Sequence, residues 1–128
     1  MTNRRSILAL CVVVLGLMFA ATGDARGNIN RTTFLTFSGP VALPGVTLEA
    51  GTYIFELADP ERSLNIVQVL SRNRTKTHLI TLTNDVERPK NLQADRQVLF
   101  GEASAGAPLP ITAWFPVGDA VGHGFIYR

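Results

Sequence analysis

The chain has 128 residues, which is the length of one domain, since domains most often contain roughly 100–150 residues. Its 12 Lys and Arg against 10 Asp and Glu give a net charge of only +2, so the strongly basic face of a nucleic-acid-binding protein is not expected. A single Cys excludes a disulfide within the chain.

Residues 1–25 have the layout of a cleavable secretory signal peptide. A positively charged start is followed by an uncharged apolar run over 7–21, and small residues place the cleavage site after Gly23 or Ala25. The alternative is an uncleaved membrane anchor, but such an anchor usually needs about 20 apolar residues. We therefore predict export to the periplasm or the exterior of a bacterial cell, and no integral membrane segment after processing.

Removal of this segment changes the chemistry that is open to the remaining domain, residues 26–128. It takes away Cys11, both Met, Arg4, Arg5 and Asp24, and leaves 10 basic and 9 acidic side chains. A type 1 copper site requires a Cys thiolate beside two His, so the domain cannot form one. We predict no metal and no other cofactor, and no binding of nucleic acid.

The domain is predicted to be all-β. Alternation is clearest over 52–57, where Tyr53, Phe55 and Leu57 share one face, and this pattern predicts that Glu56 on the other face is solvated. No segment shows a helical period, and turn residues separate the strands. Among them, Pro44 and Gly45 fit the two central positions of a tight turn. This spacing is typical of a single antiparallel β-sandwich, with a small β-barrel as the alternative. The eight predicted strands are 31–37, 46–48, 52–57, 64–70, 77–83, 98–102, 111–115 and 123–127.

A basic hairpin tip is predicted between two of these strands, at 71–76. Arg72, Arg74 and Lys76 alternate through it. Such cations could attract an anionic glycan, although charged tips commonly serve solubility alone. The three side chains are therefore candidate binding residues.

The segment 84–96 is predicted to be a polar loop of 13 residues. Loops of this length in compact domains are often functional, so the loop and its Arg88 are a candidate binding surface. Trp114 stands next to Phe115, and strand alternation places the two rings on opposite faces. A ring that is exposed would mark a contact site, so Trp114 is a further candidate.

His123 is the candidate for chemistry, because an imidazole titrates near neutral pH. Its neighbours Gly122 and Gly124 are expected to form a turn and a bulge at the entry to the last strand. One functional alternative is a small hydrolase or metal-dependent enzyme centred on His123, with Asp119 or Glu102 assisting. Titratable groups are otherwise scattered along the sequence, so we assign no catalytic residue.

Two stretches resemble known groups of proteins. Residues 48–55 (LEAGTYIF) are similar to the L-P-A-G-T-Y hairpin of prealbumin-like and carboxypeptidase-regulatory-like β-sandwich modules. Residues 113–118 (AWFPVG) and 122–127 (GHGFIY) resemble the A-W-F-x-P-G…G-H-E-F-V-Y ending of a group of small, uncharacterised exported bacterial β-proteins. The resemblance implies an exported β-domain but supplies no role that can be transferred to this chain, and Gly124 stands where that group has Glu.

The expected function is therefore that of a non-enzymatic exported module. It is expected to bind a partner or to have a structural role in the cell envelope. An envelope protein or an anionic glycan is the partner that these residues suggest.

Overall fold

A computed structural model describes residues 29–128, so the predicted signal peptide lies outside the described residues. The described part of the chain contains strands and no helix, which confirms the predicted all-β class. Accordingly, none of these residues form a helix long and apolar enough to cross a membrane. The strands are β1 (Thr33–Phe37), β2 (Val41–Leu43), β3 (Val46–Leu48), β4 (Gly51–Leu57), β5 (Ile66–Ser71), β6 (Thr77–Glu87), β7 (Val98–Phe100), β8 (Leu109–Trp114) and β9 (Val121–Phe125).

All nine strands belong to one mixed sheet in the order β1-β4-β5-β6-β9-β8-β2-β3, with β7 paired to β8. The pairs are antiparallel except for β2 with β8, which is parallel. The sheet does not close into a barrel, so the barrel alternative is wrong. The strand order runs from β1 at one edge to β3 at the other.

The sheet folds over on itself into two layers. Phe55 on β4 and Trp114 on β8 are four strands apart in the sheet, which would separate them by about 19 Å if the sheet were flat. Their ring centroids are instead 6.0 Å apart. Both layers therefore share one core. Its buried members are Phe37, Val41, Leu43, Leu48, Phe55, Leu57, Val67, Val69, Val98, Ile111, Trp114 and Phe125.

The second strand, β2, was not predicted, because its three residues are all apolar and show no alternation. Pro44 and Gly45 form the tight turn between β2 and β3, as the sequence predicts. Gly45 has a φ of 76°, the left-handed conformation that this turn position requires and that glycine adopts without strain.

The predicted 13-residue loop over 84–96 is wrong, because β6 continues to Glu87. Residues 84–87 pair in regular register with residues 121–124 of β9. These residues were not predicted as a strand because most of their side chains are polar. A strand can nevertheless contain them, since polar residues at alternate positions fit a solvated face. The connection that remains before β7 is correspondingly shorter.

The predicted turn and bulge around His123 are also wrong. Gly122 and Gly124 lie inside the regular strand β9. A Cβ atom on Gly122 would lie 2.3 Å from the ring of Phe115, and one on Gly124 would lie 2.5 Å from a methyl of Val86. The glycines are needed because neighbouring side chains pack directly on the backbone of β9.

Candidate functional site

A cleft of about 820 Å³ opens at the end of the sandwich where β4 ends and β9 begins. Four separate segments form it: the residues before β1, the β4–β5 connection, the second half of β6, and the loop that enters β9. Apolar walls come from Ile29, Leu57, Leu64 and Val121. Its polar side chains are Arg31, Arg62, Ser63, Asn65, Asp85, Asp119 and His123.

His123 is the most deeply buried polar group of the cleft, with 7% of its surface exposed. Strand pairing places it between Trp114 on β8 and Asp85 on β6. Its ring stacks on the indole of Trp114, with centroids 5.2 Å apart and planes inclined by 29°. His123 Nδ1 and Trp114 Nε1 are both buried, and neither has a hydrogen-bond partner among residues 29–128. Buried polar atoms are rarely left unpaired, so this pair marks an unusual site.

Burial lowers the pKa of His123 below its ordinary value, because a charged imidazolium loses its hydration there. The negative charges of Asp85 and Asp119 act in the opposite direction, and the positive charge of Arg31 adds to the lowering. The ring is therefore neutral at neutral pH. A neutral imidazole has one nitrogen that donates a hydrogen bond and one that accepts.

Arg31 joins the segment before β1 to the loop that enters β9. Its Nε donates to Asp119 Oδ2 at 2.9 Å. Arg31 also has a φ of 58°, a conformation that is uncommon for a residue with a side chain. The ion pair and this backbone conformation together fix one wall of the cleft.

The structure brings three of the sequence-predicted residues together here. His123 and Asp119 both line the cleft, and Trp114 stacks on His123 from the core behind it. Glu102, the other proposed helper, is exposed between β7 and β8 and does not line the cleft. Among residues 29–128, no group of three His, Cys, Asp or Glu side chains is placed to hold a metal ion.

The basic hairpin tip lies at the far end of β5 from the cleft, and Arg74 points back from it onto the sheet. Its guanidinium donates to both carboxylate oxygens of Glu56, at 3.0 and 3.1 Å. Thr32 (2.8 Å) and Gln68 (2.7 Å) donate to the same carboxylate. Glu56 is only 3% exposed, so the prediction that it is solvated is wrong. Arg72 and Lys76 remain exposed.

Burial by itself raises the pKa of Glu56, but its hydrogen bonds outweigh this effect. The bonds from Arg74, Thr32 and Gln68 and the charge of Arg74 together hold the pKa below its ordinary value. The carboxylate is therefore ionised and satisfied, and Arg74 is committed to a structural contact rather than to a ligand.

Arg88 is also held by contacts within the protein. Its guanidinium carbon lies 5.5 Å from the centre of the Phe115 ring, and its Nη2 donates to the carbonyl oxygens of Gln93 and Arg96. These contacts order the loop between β6 and β7. Trp114 belongs to the core, whereas Phe115 packs against Gly122. Both aromatic rings are fully buried, so neither forms an exposed contact site.

Known proteins were compared with the chain at the level of both sequence and structure. No protein family model, curated protein or solved structure matches it. The candidate site therefore rests on its geometry. Arg31, Arg62 and Asn65 were missed by sequence reasoning because only the fold brings their segments beside His123; the one local signal was Asp119, four residues before it.

Proposed function

We propose that this protein is a non-enzymatic, exported binding module that holds an uncharged, polar small molecule in the cleft beside His123. The cleft itself is the observation that carries the proposal. Small-molecule sites are concave, measure about 300–1,000 Å³ and combine apolar walls with a few polar groups. A cleft of about 820 Å³ with walls of this kind fits that description.

The charges of the cleft favour an uncharged ligand. Arg31 and Asp119 neutralise each other in an ion pair, and Arg62 and Asp85 contribute one charge of each sign to the lining. Arg62 also forms an exposed ion pair of 3.6 Å with Asp59, which lies outside the lining. His123 is neutral at neutral pH because burial lowers its pKa. A ligand with a net charge would therefore find no excess of opposite charge in the cleft. A neutral ligand does not depend on such an excess, so its absence costs the neutral ligand little binding energy.

The hydrogen-bonding groups favour a polar ligand. His123 lines the cleft and makes no side-chain hydrogen bond to another described residue, and the exposed side-chain amide of Asn65 is also without one. Leu64, which is 61% exposed, offers an apolar contact at the same opening. Together these groups suit a molecule with several donors and acceptors on a compact frame.

The same geometry supports binding over catalysis. A nucleophile and its base normally lie within hydrogen-bond reach of each other. Within the described residues no hydroxyl or carboxylate is hydrogen bonded to His123, and the Ser63 hydroxyl in the same cleft accepts instead from the backbone N–H of Asn65 at 3.1 Å. The hydrolase alternative therefore has less support.

Nuclear magnetic resonance titration tests the proposal. The probes are hexoses, N-acetylated amino sugars and N-acetyl amino-acid amides, with sulfate and tetramethylammonium as charged comparisons. Leu64→Arg adds bulk and a charge at the cleft. Leu82→Arg is the matched control, because Leu82 lies outside the cleft and is 59% exposed against 61% for Leu64.

We expect a neutral probe to shift the amide signals around His123 and Asn65. Leu64→Arg should weaken that binding more than about tenfold, whereas Leu82→Arg should leave it unchanged. If only sulfate or tetramethylammonium binds, or if both variants bind the neutral probe alike, the proposed site is wrong.

Export has its own test, which is sequencing the N-terminus of the protein recovered from the periplasmic fraction or medium of a bacterial host. Cleavage after Gly23 or Ala25 gives chains that begin at Asp24 or Arg26. Recovery of the protein only in the cytoplasm or membrane, with its first 23 residues retained, would contradict export.

A further inference from the structure

His123 has an aromatic neighbour on one side and a carboxylate on the other. Trp114 on β8 and Asp85 on β6 both lie directly opposite it in the sheet. Residues that lie opposite each other on antiparallel strands point to the same face, with Cβ atoms about 4.5–5.5 Å apart. The three side chains therefore form a row across the sheet, which runs from the core at Trp114 to the cleft at Asp85.

The charged groups that face His123 in the cleft differ in whether they are already paired. Asp119, in the loop that enters β9, accepts from Arg31 Nε at 2.9 Å, so these two charges neutralise each other. Arg62, in the β4–β5 connection, has an exposed ion pair of its own. Asp85 is exposed and forms no ion pair with another of the residues 29–128. It is therefore the carboxylate that a positive charge on His123 would meet.

A ligand in the cleft and the Asp85 carboxylate favour opposite states of the ring. Neutral imidazole has one donor and one acceptor, whereas the imidazolium has two donors and no acceptor. A ligand seated on His123 covers what remains of its surface, of which only 7% is exposed, and a charged ring would then lose its remaining hydration. The ligand therefore favours the neutral ring, and the negative charge of Asp85 favours the charged one.

We propose that the cleft releases its ligand in acid, when a proton on His123 lets the ring pair with Asp85 across the neighbouring strands. This regulation rests on the binding function proposed above. Burial lowers the pKa of His123 below its ordinary value of 6.5, against the charges of Asp85 and Asp119, so release lies on the acid side of neutral pH. At neutral pH the ring stays neutral and the cleft stays competent to bind.

Thermodynamic linkage fixes the size of the effect. If the ligand binds only while His123 is neutral, its affinity is constant well above the pKa of the free protein. Well below that pKa, the affinity falls about tenfold for each pH unit. The same linkage requires the bound ligand to lower the pKa of His123 further, since each of the two binding events opposes the other equally.

Nuclear magnetic resonance titration from about pH 8 to about pH 4.5 tests the proposal. The probe is the hexose, N-acetylated amino sugar or N-acetyl amino-acid amide that binds at the upper end of this range. None of these probes has a group that titrates there, so a change of affinity comes from the protein. Imidazole signals give the pKa of His123 with and without saturating probe, and amide signals show that the fold persists at each pH.

Asp85→Asn removes the counterion at nearly constant shape. Glu87→Gln is the matched control, because Glu87 is an exposed carboxylate two residues further along the same face of β6 and lies outside the cleft lining. Each variant is compared with its own affinity at about pH 8, since Asp85 lines the cleft.

We expect Asp85→Asn to move both the pKa of His123 and the fall in affinity by about half a pH unit or more toward acid. Where the wild type has lost about tenfold in affinity, Asp85→Asn should therefore have lost at least about threefold less. Glu87→Gln should follow the wild type. If Asp85→Asn does not fold, the pKa of His123 in the free and the saturated wild-type protein carries the test.

Several results would overturn the proposal. One is a constant affinity across the pH at which His123 titrates, and another is a pKa of His123 that the probe leaves unchanged or raises. A His123 that does not titrate before the protein unfolds, or a Glu87→Gln variant that shifts the curve as far as Asp85→Asn, has the same meaning. These results leave the binding function standing, whereas a failure of every neutral probe to bind at about pH 8 contradicts that function and this regulation together.

Discussion

Two buried ionisable side chains in this sheet have opposite environments. Glu56 on β4 is 3% exposed and accepts four hydrogen bonds, two of them from Arg74. His123 on β9 is 7% exposed, yet its Nδ1 has no hydrogen-bond partner in the described part of the chain. The hydrogen-bonding capacity of the carboxylate is therefore filled, whereas that of the imidazole is not.

The difference separates a structural polar group from a candidate binding group. A buried charge whose hydrogen bonds are all made cannot accept a ligand without losing a bond, so Glu56 and Arg74 stabilise the sheet. A buried ring with an unpaired nitrogen beside an open cleft can still gain a bond. His123 therefore marks the proposed binding region, whereas Arg74, a candidate binding residue from the sequence, has a structural contact.

Arg74→Ala should have the largest effect, because it leaves the buried charge of Glu56 without its cation. Removing one partner of a buried pair costs about 3–5 kcal/mol, and half of the Arg74 side chain is exposed, so we expect a loss of about 2–3 kcal/mol. Urea unfolding measures it. Arg72→Ala in the same turn is the control and should change the free energy of unfolding by less than about 0.5 kcal/mol. Equal effects would show that the ion pair stabilises nothing.

Gly122→Ala should be the next most destabilising change. It tests the packing that holds His123 in place. The new Cβ would lie 2.6 Å from the Trp114 carbonyl oxygen, which the backbone cannot move easily. Overpacking of this kind costs about 1–3 kcal/mol. Gly39 is the control, since a Cβ there meets nothing within 4 Å. A Gly122→Ala variant as stable as Gly39→Ala would contradict the close packing on β9.

The sequence could predict what depends on neighbours along the chain. The all-β class, the turn at Pro44 and Gly45, and the opposite faces of Trp114 and Phe115 all follow from local alternation and turn chemistry. The burial of Glu56 does not, because Arg74 reaches it from 18 residues away.

Local sequence patterns could not predict the candidate site, for the same reason. Its four segments meet only once the sheet folds over, so nothing in the order of residues links Arg31 or Asn65 with His123. The continuation of β6 to Glu87 was hidden because its pairing partner, β9, lies more than thirty residues further on.

His123→Phe should have a small effect on stability and a large one on binding. A phenyl ring keeps the stacking on Trp114 and removes the unpaired Nδ1, so we expect a free energy of unfolding within about 1 kcal/mol of wild type. Binding of the neutral probe should weaken more than about tenfold. A strongly destabilised variant would show that His123 is a structural residue like Glu56.

The pH dependence of stability should separate the two groups, although the effect is the smallest of these. Unfolded His123 takes up a proton with a pKa near 6.5, while burial lowers the pKa of the folded form, so stability should fall as the pH drops below 6.5. Burial also lowers the pKa of His78, so His123→Phe should reduce this fall without abolishing it.

The contribution of Glu56 should be lost at lower pH. Its folded pKa lies below the ordinary value of 4.5, so its stabilisation is present above pH 4.5 and disappears as the pH falls further. Urea unfolding across this range should show that Arg74→Ala flattens the acidic step. If His123→Phe alters only the acidic step, the assignment of the two groups is wrong.

The most direct test of the binding region uses the two histidines of the chain as reporters. His123 lines the cleft, whereas His78 lies at the start of β6 with its ring 5.2 Å from that of Tyr53. Nitrogen-15 spectra of both imidazoles are recorded while the neutral probe is added. We predict that the His123 nitrogens shift and saturate while those of His78 stay in place. Saturating binding that shifts His78, or that shifts neither ring, would contradict the proposed site.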